Sequence, residues 1–446
     1  MIRNLLVAIC LVALTAGRVP AQSLQDTLLQ PAAWTVTDAV RFALANSPDT
    51  AIIQHRIAAA EAAVVEAKAA FYPQFDINAS YGRTNNPMHS FGNILNQGVF
   101  DQTIDFNNPG TSDNLSMNAM LTYRIYNGGR DQAGVNAAEA GKAASRFQLE
   151  AVRSQLGFAV VKTFFTIIQA AENLQARQSA LDATAESVRV AKARYDAGDL
   201  LKADLLSLEV HQSEANENLI QAGHALNLAK RALLNLLGLE QGDINIDYSC
   251  ATEQPVPRDR TFTRRAELEA LDASIQAAEE EVQKAYGGYY PTADAFAGYT
   301  VDKGYELEGS GNSWMTGIKV NFNLFAGHRN SAGIARAKAA LAEKKEARRK
   351  MYLAINLEAE QASLALDQAE QRVRVTEKMV EQAEESAHLS RERFKEGVIL
   401  PSDLIDVENR LTNAQVRRTV ARAAYRIAVA DLRRALGLKQ FAAADQ

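Results

Sequence analysis

Hydrogen-bonding side chains at every second position are the first chemistry this sequence offers. Between Gln74 and Tyr81, the polar Gln74, Asp76, Asn78 and Ser80 alternate with the apolar Phe75, Ile77, Ala79 and Tyr81. Between Leu115 and Ile125, Leu115, Met117, Ala119, Leu121, Tyr123 and Ile125 interleave with Ser116, Asn118, Thr122 and Arg124. Further on, Trp314, Ile318, Val320, Phe322 and Leu324 alternate with Lys319, Asn321 and Asn323, and a noisier run from Thr292 to Val301 carries Phe296, Tyr299 and Val301. A period of two is that of a strand, so each run shows one polar and one apolar face. The row Asp76, Asn78, Arg124, Lys319, Asn321 and Asn323 suits contact with water in a channel lumen; it suits passage better than bond making.

Residue sets for catalysis are missing. His55, His89, His211, His224, His328 and His388 are scattered without metal-ligand spacing. No phosphate-cradling glycine loop and no Gly-x-Ser-x-Gly occurs, so neither an enzyme, a metal site nor a cofactor is expected. The formal net charge of -5 supplies no basic excess to release counterions from phosphates, which argues against nucleic acid. Abundant Glu and Lys in the Ala-rich stretches read as solvated helix faces with intrahelical pairs. Pro401-Ser402-Asp403 reads as a helix start, where Asp403 and Asp406 are favoured by the dipole.

The N-terminus sets the compartment. Met1 to Asn4 is a short positive segment, Leu5 to Ala16 an apolar one, and Val19-Pro20-Ala21 offers small residues for cleavage after Ala21. The apolar run is too short for a spanning helix, which needs about 20 residues. Cleavage removes Arg3 and Arg18 and no acid, leaving a mature charge of -7. Leu6 to Cys10 only loosely resembles a lipoprotein box, with bulky Ile9 in the way. Cys250 then stands alone in an oxidising compartment as a shielded thiol, without an intramolecular disulfide. No later segment reads as a membrane-spanning helix, which leaves a periplasmic protein or an outer-membrane β-barrel.

The strands must be held by helices, and an internal repeat shows how. Tyr195 to Leu205, with Gly198 and Asp204, matches Phe394 to Leu404, with Gly397 and Asp403, at an offset of 199. The same shift carries Tyr126-Asn-Gly128 onto Phe325-Ala-Gly327 and Leu237-Gly238-Leu239 onto Leu436-Gly437-Leu438. Upstream, Phe71-Tyr72-Pro73 matches Tyr289-Tyr290-Pro291 at 218, so the first copy holds 19 extra residues, within the polar Asn85 to Asn114 stretch that reads as a long loop. The expected organisation is a signal peptide (1–21), a first repeat (22–239), a linker (240–262) with Pro255 and Pro257, a second repeat (263–438) and a tail (439–446).

Proline-free windows rich in Ala, Leu, Glu, Gln, Lys and Arg predict a long helix over 131–197 and another over 330–396. At 1.5 Å per residue each would reach about 100 Å. Gly198 and Gly397 can turn the chain into return helices over 200–237 and 401–436. Leu219, Leu226 and Leu233 lie seven apart, with Ala222, Ala229 and Leu236 behind them, a coiled-coil seam. A plain helical hairpin would show a similar pattern.

The alternating runs, over about 73–126 and 291–325, have the length of transmembrane strands, about 9–11 residues. Phe71-Tyr72, Tyr126, Tyr289-Tyr290 and Phe325 bunch at one end, as an interfacial girdle requires, and Trp314 lies near the other. Four strands cannot close a barrel, and open edges are not tolerated in lipid. Two copies would give eight strands and a filled interior; three give twelve and room for a channel.

At this point the chain resembles the TolC-like outer membrane factor family, from about Trp34 to Leu438. The motifs are Ala43-Leu-Ala-Asn-Ser-Pro48, the paired Tyr-Pro strand starts, the Tyr126-Asn-Gly-Gly-Arg130 and Phe325-Ala-Gly-His-Arg329 turns, and the two Gly-centred tips. The resemblance implies a mixed α and β channel-tunnel: four strands per protomer in a shared 12-stranded outer-membrane barrel, above a periplasmic helical coiled-coil barrel. It implies a homotrimer that serves as a passive exit duct for efflux or type I secretion. Its partners would be a periplasmic adaptor, an inner-membrane pump or secretion ATPase, and outer-membrane lipid. It also implies that Asp403 and Asp406 line a periplasmic aperture; helix capping is the alternative role. The family's type pattern locks that aperture with a tyrosine before the second tip glycine and an arginine after it. Here Phe394 and Ile399 stand there, so that lock does not carry over. A periplasmic coiled-coil protein without a pore is the competing reading.

Overall fold

The computed structural model describes residues 33–247, 254–262 and 264–441. The signal peptide, its cleavage site, Cys10 and Cys250 lie outside the described residues. Element order is α1 (Val36–Asn46), α2 (Pro48–Lys68), β1 (Gln74–Thr84), α3 (Pro87–Asn96), β2 (Ser112–Tyr126), α4 (Arg130–Asp196) and α5 (Lys202–Leu237). Then come α6 (Ala266–Tyr286), β3 (Thr292–Lys303), β4 (Ser310–Asn321), α7 (Arg329–Lys395) and α8 (Pro401–Ala435). The shift of 218 carries α2 onto α6, and 199 carries α4 onto α7.

The two 67-residue helices start in the same way. A left-handed residue, Gly129 in one and His328 in the other, turns the chain from strand into helix. At the far end, Gly198 and Gly397 adopt φ of +86° and +79°. There the Asp199 N–H donates to Arg194 O (2.8 Å) and the Val398 N–H to Arg393 O (2.9 Å), which closes each helix with a left-handed cap.

The four strands form one antiparallel sheet in the order β1-β2-β3-β4. The expected loop between β1 and β2 is partly helical: Asn86 Oδ1 accepts from the Met88 and His89 N–H groups and starts α3 with Pro87 at its first position. Gln97 then donates to Asp113 O at 2.6 Å, and the Asp113 carboxylate accepts from the Tyr305 and Glu306 N–H groups. The insertion is thereby tied down over the β3–β4 loop. Asn323 was expected on a strand, but β4 ends at Asn321.

The main core lies midway along the helices. It gathers Trp34, Val36 and Val40, then Val160, Val161, Phe164 and Ile167 of α4, with Leu233 and Leu237 of α5. Ile244 and Ile246 are buried there too, and Trp34 bridges to Ile246, so the front of the expected linker is part of the core. The sequence predicts no spanning helix beyond the signal segment, yet α4 holds an apolar stretch, which this core partly covers. One 18-residue window of Arg130–Asp196 is apolar enough to cross a membrane by length and composition, and 44% of it is buried inside the protein. Beside the core, Arg265 is sunk between helices, donating to Glu267, Glu358 (3.0 Å) and Ala435 O (2.6 Å), while Arg434 also holds Glu358. Those contacts lock α6, α7 and α8 together.

Candidate channel lining and helical tips

Strand register decides how the alternating side chains add up. Residues directly opposite across a ladder share a face. Asn78 lies opposite Asn118, Asn118 opposite Thr300 and Thr300 opposite Ser313; Ser80 leads likewise to Ser116 and Asp302. Arg124 faces Asp294, which faces Lys319, and Thr292 faces Asn321. Asp76, Asn78, Arg124, Lys319 and Asn321 therefore fall on one face of one sheet. That face is knitted by Asn118 Nδ2 donating to Thr300 Oγ1 (2.7 Å), Asn114 Nδ2 to Asp302 Oδ1 (2.6 Å), and Arg124 lying 3.5 Å from both Asp131 and Asp294.

Apolar intruders on this face are folded down. Phe296 lies over Gly317 and Met120 over Gly298, where an added Cβ would come within 3.0 and 3.2 Å of them. The glycines let bulky side chains lie flat, so the polar groups stand higher.

The opposite face collects Phe75, Ile77, Ala79, Tyr81, Met117, Leu121, Tyr123, Ala297, Tyr299, Trp314, Ile318 and Val320. It is uncovered in the single chain: Trp314 is 74% exposed, Ile318 68% and Val320 65%. Such a contiguous apolar face, backed by a polar one, has lipid as its natural neighbour. β1 and β4 also leave open edges.

At the other extremity the two tips share a small core. Ala191, Leu205 and Leu208 from the first hairpin pack with Leu404 and Phe394, which is 1% exposed, from the second. Arg194 reaches across, donating from Nη1 to Phe394 O at 3.0 Å with its guanidinium 5.3 Å from the Phe394 ring centre. Arg391 forms a paired contact with Glu408 (2.5 and 2.7 Å), and that carboxylate raises the Arg391 pKa further above its ordinary value. The sequence singled out Phe394 for lacking a hydroxyl; its role as inter-hairpin core and the part of Arg194 needed the fold, because the two are 200 positions apart.

Asp403 and Asp406 are exposed on α8, with Leu404 and Glu408 buried on its other side. The cap of α8 is Leu400, and neither aspartate makes a side-chain capping bond. Asp406 pairs instead with Arg410 at 2.5 Å. Of the first-copy counterparts, Asp204 lies in the first turn of α5, and Ser207 Oγ donates back to Ala203 O.

Residues 39–239 and 259–438, which carry both the amphipathic sheet and the long helices, match the family of outer membrane efflux proteins. The chain belongs to that family. It is an outer-membrane channel component extending into the periplasm, an exit duct and not an enzyme; a rod without a pore is set aside. Among individual relatives, the chain is 31% identical over 155 residues to outer membrane protein OprJ of Pseudomonas aeruginosa, a match spanning 34% of this chain and 28% of OprJ. It is 22% identical over 304 residues to the cobalt-zinc-cadmium resistance protein CzcC of Cupriavidus metallidurans, covering 67% and 72% of the two chains. Among solved structures it is similar to CusC, with a TM-score of 0.77 at 16% identity over 93% of this chain and 96% of that one. VceC of Vibrio cholerae gives 0.75 at 20% identity, over 90% and 96%. These likenesses give the channel-tunnel fold of this efflux family, whose members work in tripartite systems.

Proposed function

We propose that three copies close one twelve-stranded barrel in the outer membrane and continue it as a helical tunnel across the periplasm. Four strands leave two unpaired edges, and lipid does not tolerate these. Eight strands would be filled by their own side chains, whereas twelve leave a wet passage. Asp76, Asn78, Arg124, Lys319, Asn321 and Asn323 line that passage. Gly198 and Gly397 turn the tips, and Asp403 and Asp406 line the periplasmic aperture. A periplasmic adaptor and an inner-membrane pump or secretion ATPase supply cargo and energy, and the chain is their passive conduit.

One observation carries this reading: the register sorts four alternating strands into a single polar face and a single apolar face. The aperture role draws support from the shared exposure of Asp403 and Asp406 and from their lack of capping bonds. The name of CzcC speaks of cobalt, zinc and cadmium, which makes such cations one cargo class to assay. The mature chain should be recovered from outer-membrane fractions with detergent, as a trimer that conducts ions across planar bilayers. A monodisperse, water-soluble monomer would sink the proposal.

A further inference from the structure

The two hairpins of the sheet have the same register once the sequence shifts are applied. Gln74 pairs with Thr122; moving these by 218 and 199 gives Thr292 and Asn321, which are paired. Every pair of the β1–β2 ladder, from Gln74↔Thr122 to Thr84↔Ser112, maps onto a pair of the β3–β4 ladder, so the repeat holds residue by residue within the sheet. Between the hairpins, β2 meets β3 with Leu121 opposite Ala297 and Arg124 opposite Asp294. If the edges of neighbouring copies meet as the two halves of one copy do, the same shifts turn this seam into another. β2 becomes β4, and β3 becomes β1 of the next copy.

We propose that β4 pairs antiparallel with β1 of the next copy in one register, with Val320 opposite the partner's Ala79 and Asn323 opposite the partner's Asp76. The proposal rests on the shared-barrel reading and specifies how that barrel is closed.

Three further observations support it. First, β2 runs on to Tyr126 after its β1 partners end at Thr122, and those last residues pair with β3 alone. Their counterparts are Phe322 to Phe325, and β4 stops at Asn321, the counterpart of Thr122. The segment without a ladder is the one whose ladder lies on the next copy, which explains why Asn323 falls outside β4. Secondly, the pairing matches chemistry along its length. Ile318 meets the partner's Tyr81 and Phe322 meets the partner's Ile77, both on the lipid side, and beyond the register shift carried over from Arg124/Tyr126 Phe325 meets the partner's Phe75. Lys319 meets the partner's Ser80 and Asn321 the partner's Asn78, all on the lumen side. A slip of one residue would mix the faces.

Thirdly, the helices point the same way. Leu357 and Leu364 are exposed on α7, at 55% and 62%. Their first-copy counterparts are Phe158, packed against the core, and Phe165, 3% exposed. Side chains that find cover inside the first copy lack it in the second, as expected where the cover comes from a neighbour. At the strand-to-helix turn, a Cβ on Gly128 would come within 2.5 Å of Gly287 O and 2.7 Å of Tyr290 Cβ. The counterpart Gly327, at φ +59°, has open space around it and would face the partner's Tyr72 in the same manner.

Disulfide trapping tests the register, since directly opposed residues meet the Cα spacing of a disulfide and pairs two residues away exceed it. In a chain with Cys250→Ser, three double variants are compared under mild oxidation in outer membranes. They are Ala79→Cys with Val320→Cys, Ile77→Cys with Val320→Cys, and the control Leu121→Cys with Ala297→Cys, opposed within one copy. The first should give covalent trimers on denaturing gels, the second about tenfold less, and the third covalently closed monomers. A second in-register pair, Tyr81→Cys with Ile318→Cys, guards against one variant failing to assemble. Preferential trapping of Ile77 with Val320 overturns the register while leaving the shared barrel standing. Trimers that trap neither in-register pair overturn the β4–β1 seam. Loss of trimers from the unmodified chain itself would instead strike the shared-barrel reading.

Discussion

Asp403 and Asp406 sit one helical turn apart, and their surroundings differ. Asp406 is met by Arg410 at 2.5 Å, whereas Asp403 has no ion-pair partner among the described residues. If threefold symmetry brings them around a narrow opening, charges that close are weakly screened, the Debye length being about 8 Å at physiological salt. Replacing both with Asn should sharply lower cation selectivity and block by multivalent cations in planar bilayers, with trimer stability little changed. Arg410→Ala, which uncovers Asp406, should raise cation selectivity; an unchanged reversal potential in both variants would remove the aspartates from the aperture. Arg194 offers a second test at this scale. Its hydrogen bond and ring contact hold Phe394 to the first hairpin, so Arg194→Ala should cost ~1–2 kcal/mol at the tips and increase single-channel conductance. Conductance equal to that of the native chain would leave Arg194 a purely packing role.

Among elements, the sheet makes the sharper prediction because its two faces differ by a single residue step. Ile77, Leu121 and Val320 lie on the apolar face, and Arg at each, near mid-membrane, should cost ~2–4 kcal/mol in detergent or lipid unfolding titrations. Asn78, Thr122 and Asn321 on the polar face should accept Arg with altered conductance and near-native stability. Equal penalties on both faces would show that the polar face is not wet. In the helical part, burial is the largest influence on Glu267 and opposes its ionisation. The hydrogen bonds from Arg265 and from its own backbone N–H, together with the charges of Arg265 and Arg434, outweigh it and hold the carboxyl below the ordinary Glu range. A depressed carboxyl stabilises the fold above its unfolded pKa, about 4.3, and that contribution is lost as pH falls through the lower folded value. Thermal stability should therefore hold from neutral pH down to about 5 and fall below about 4. Glu267→Gln should flatten part of that fall; an identical pH profile would mean that the pair contributes nothing there.

For the whole molecule, the isolated chain combines a well-buried helical middle with a sheet that has no cover on one face and no partner at either edge. Its strands and helices should thus depend differently on assembly. Refolded at low concentration without detergent, the mature chain should keep helical circular dichroism and lose sheet signal. Adding micelles should restore the sheet together with the trimer, in a concentration-dependent manner, because binding that favours only the folded sheet stabilises it by mass action. Sheet signal that persists in a dilute, detergent-free monomer would contradict a barrel completed between copies.

Much of this was legible along the chain because it depends on local period. The alternation of Phe75, Ile77 and Tyr81 with Asp76 and Asn78 marks a two-faced strand, and the long proline-free windows mark helices, since both patterns report which side chains share a face. The shifts of 199 and 218 were likewise visible, because related backbones keep glycines where the chain must turn left-handed. Other features came only with tertiary structure. Helix α3 inside the expected loop depends on the Asn86 cap and on Gln97 docking against Asp113. The docking of Ile244 and Ile246 against Trp34 draws part of the expected linker into the core, and composition is blind to such packing. Arg194 over Phe394 and the apolar window of α4 also acquire their meaning from contacts between distant segments. Periodicity tells which way a side chain faces within its own element. Register and docking tell what it meets, and those depend on the backbone of another element that the local sequence does not encode.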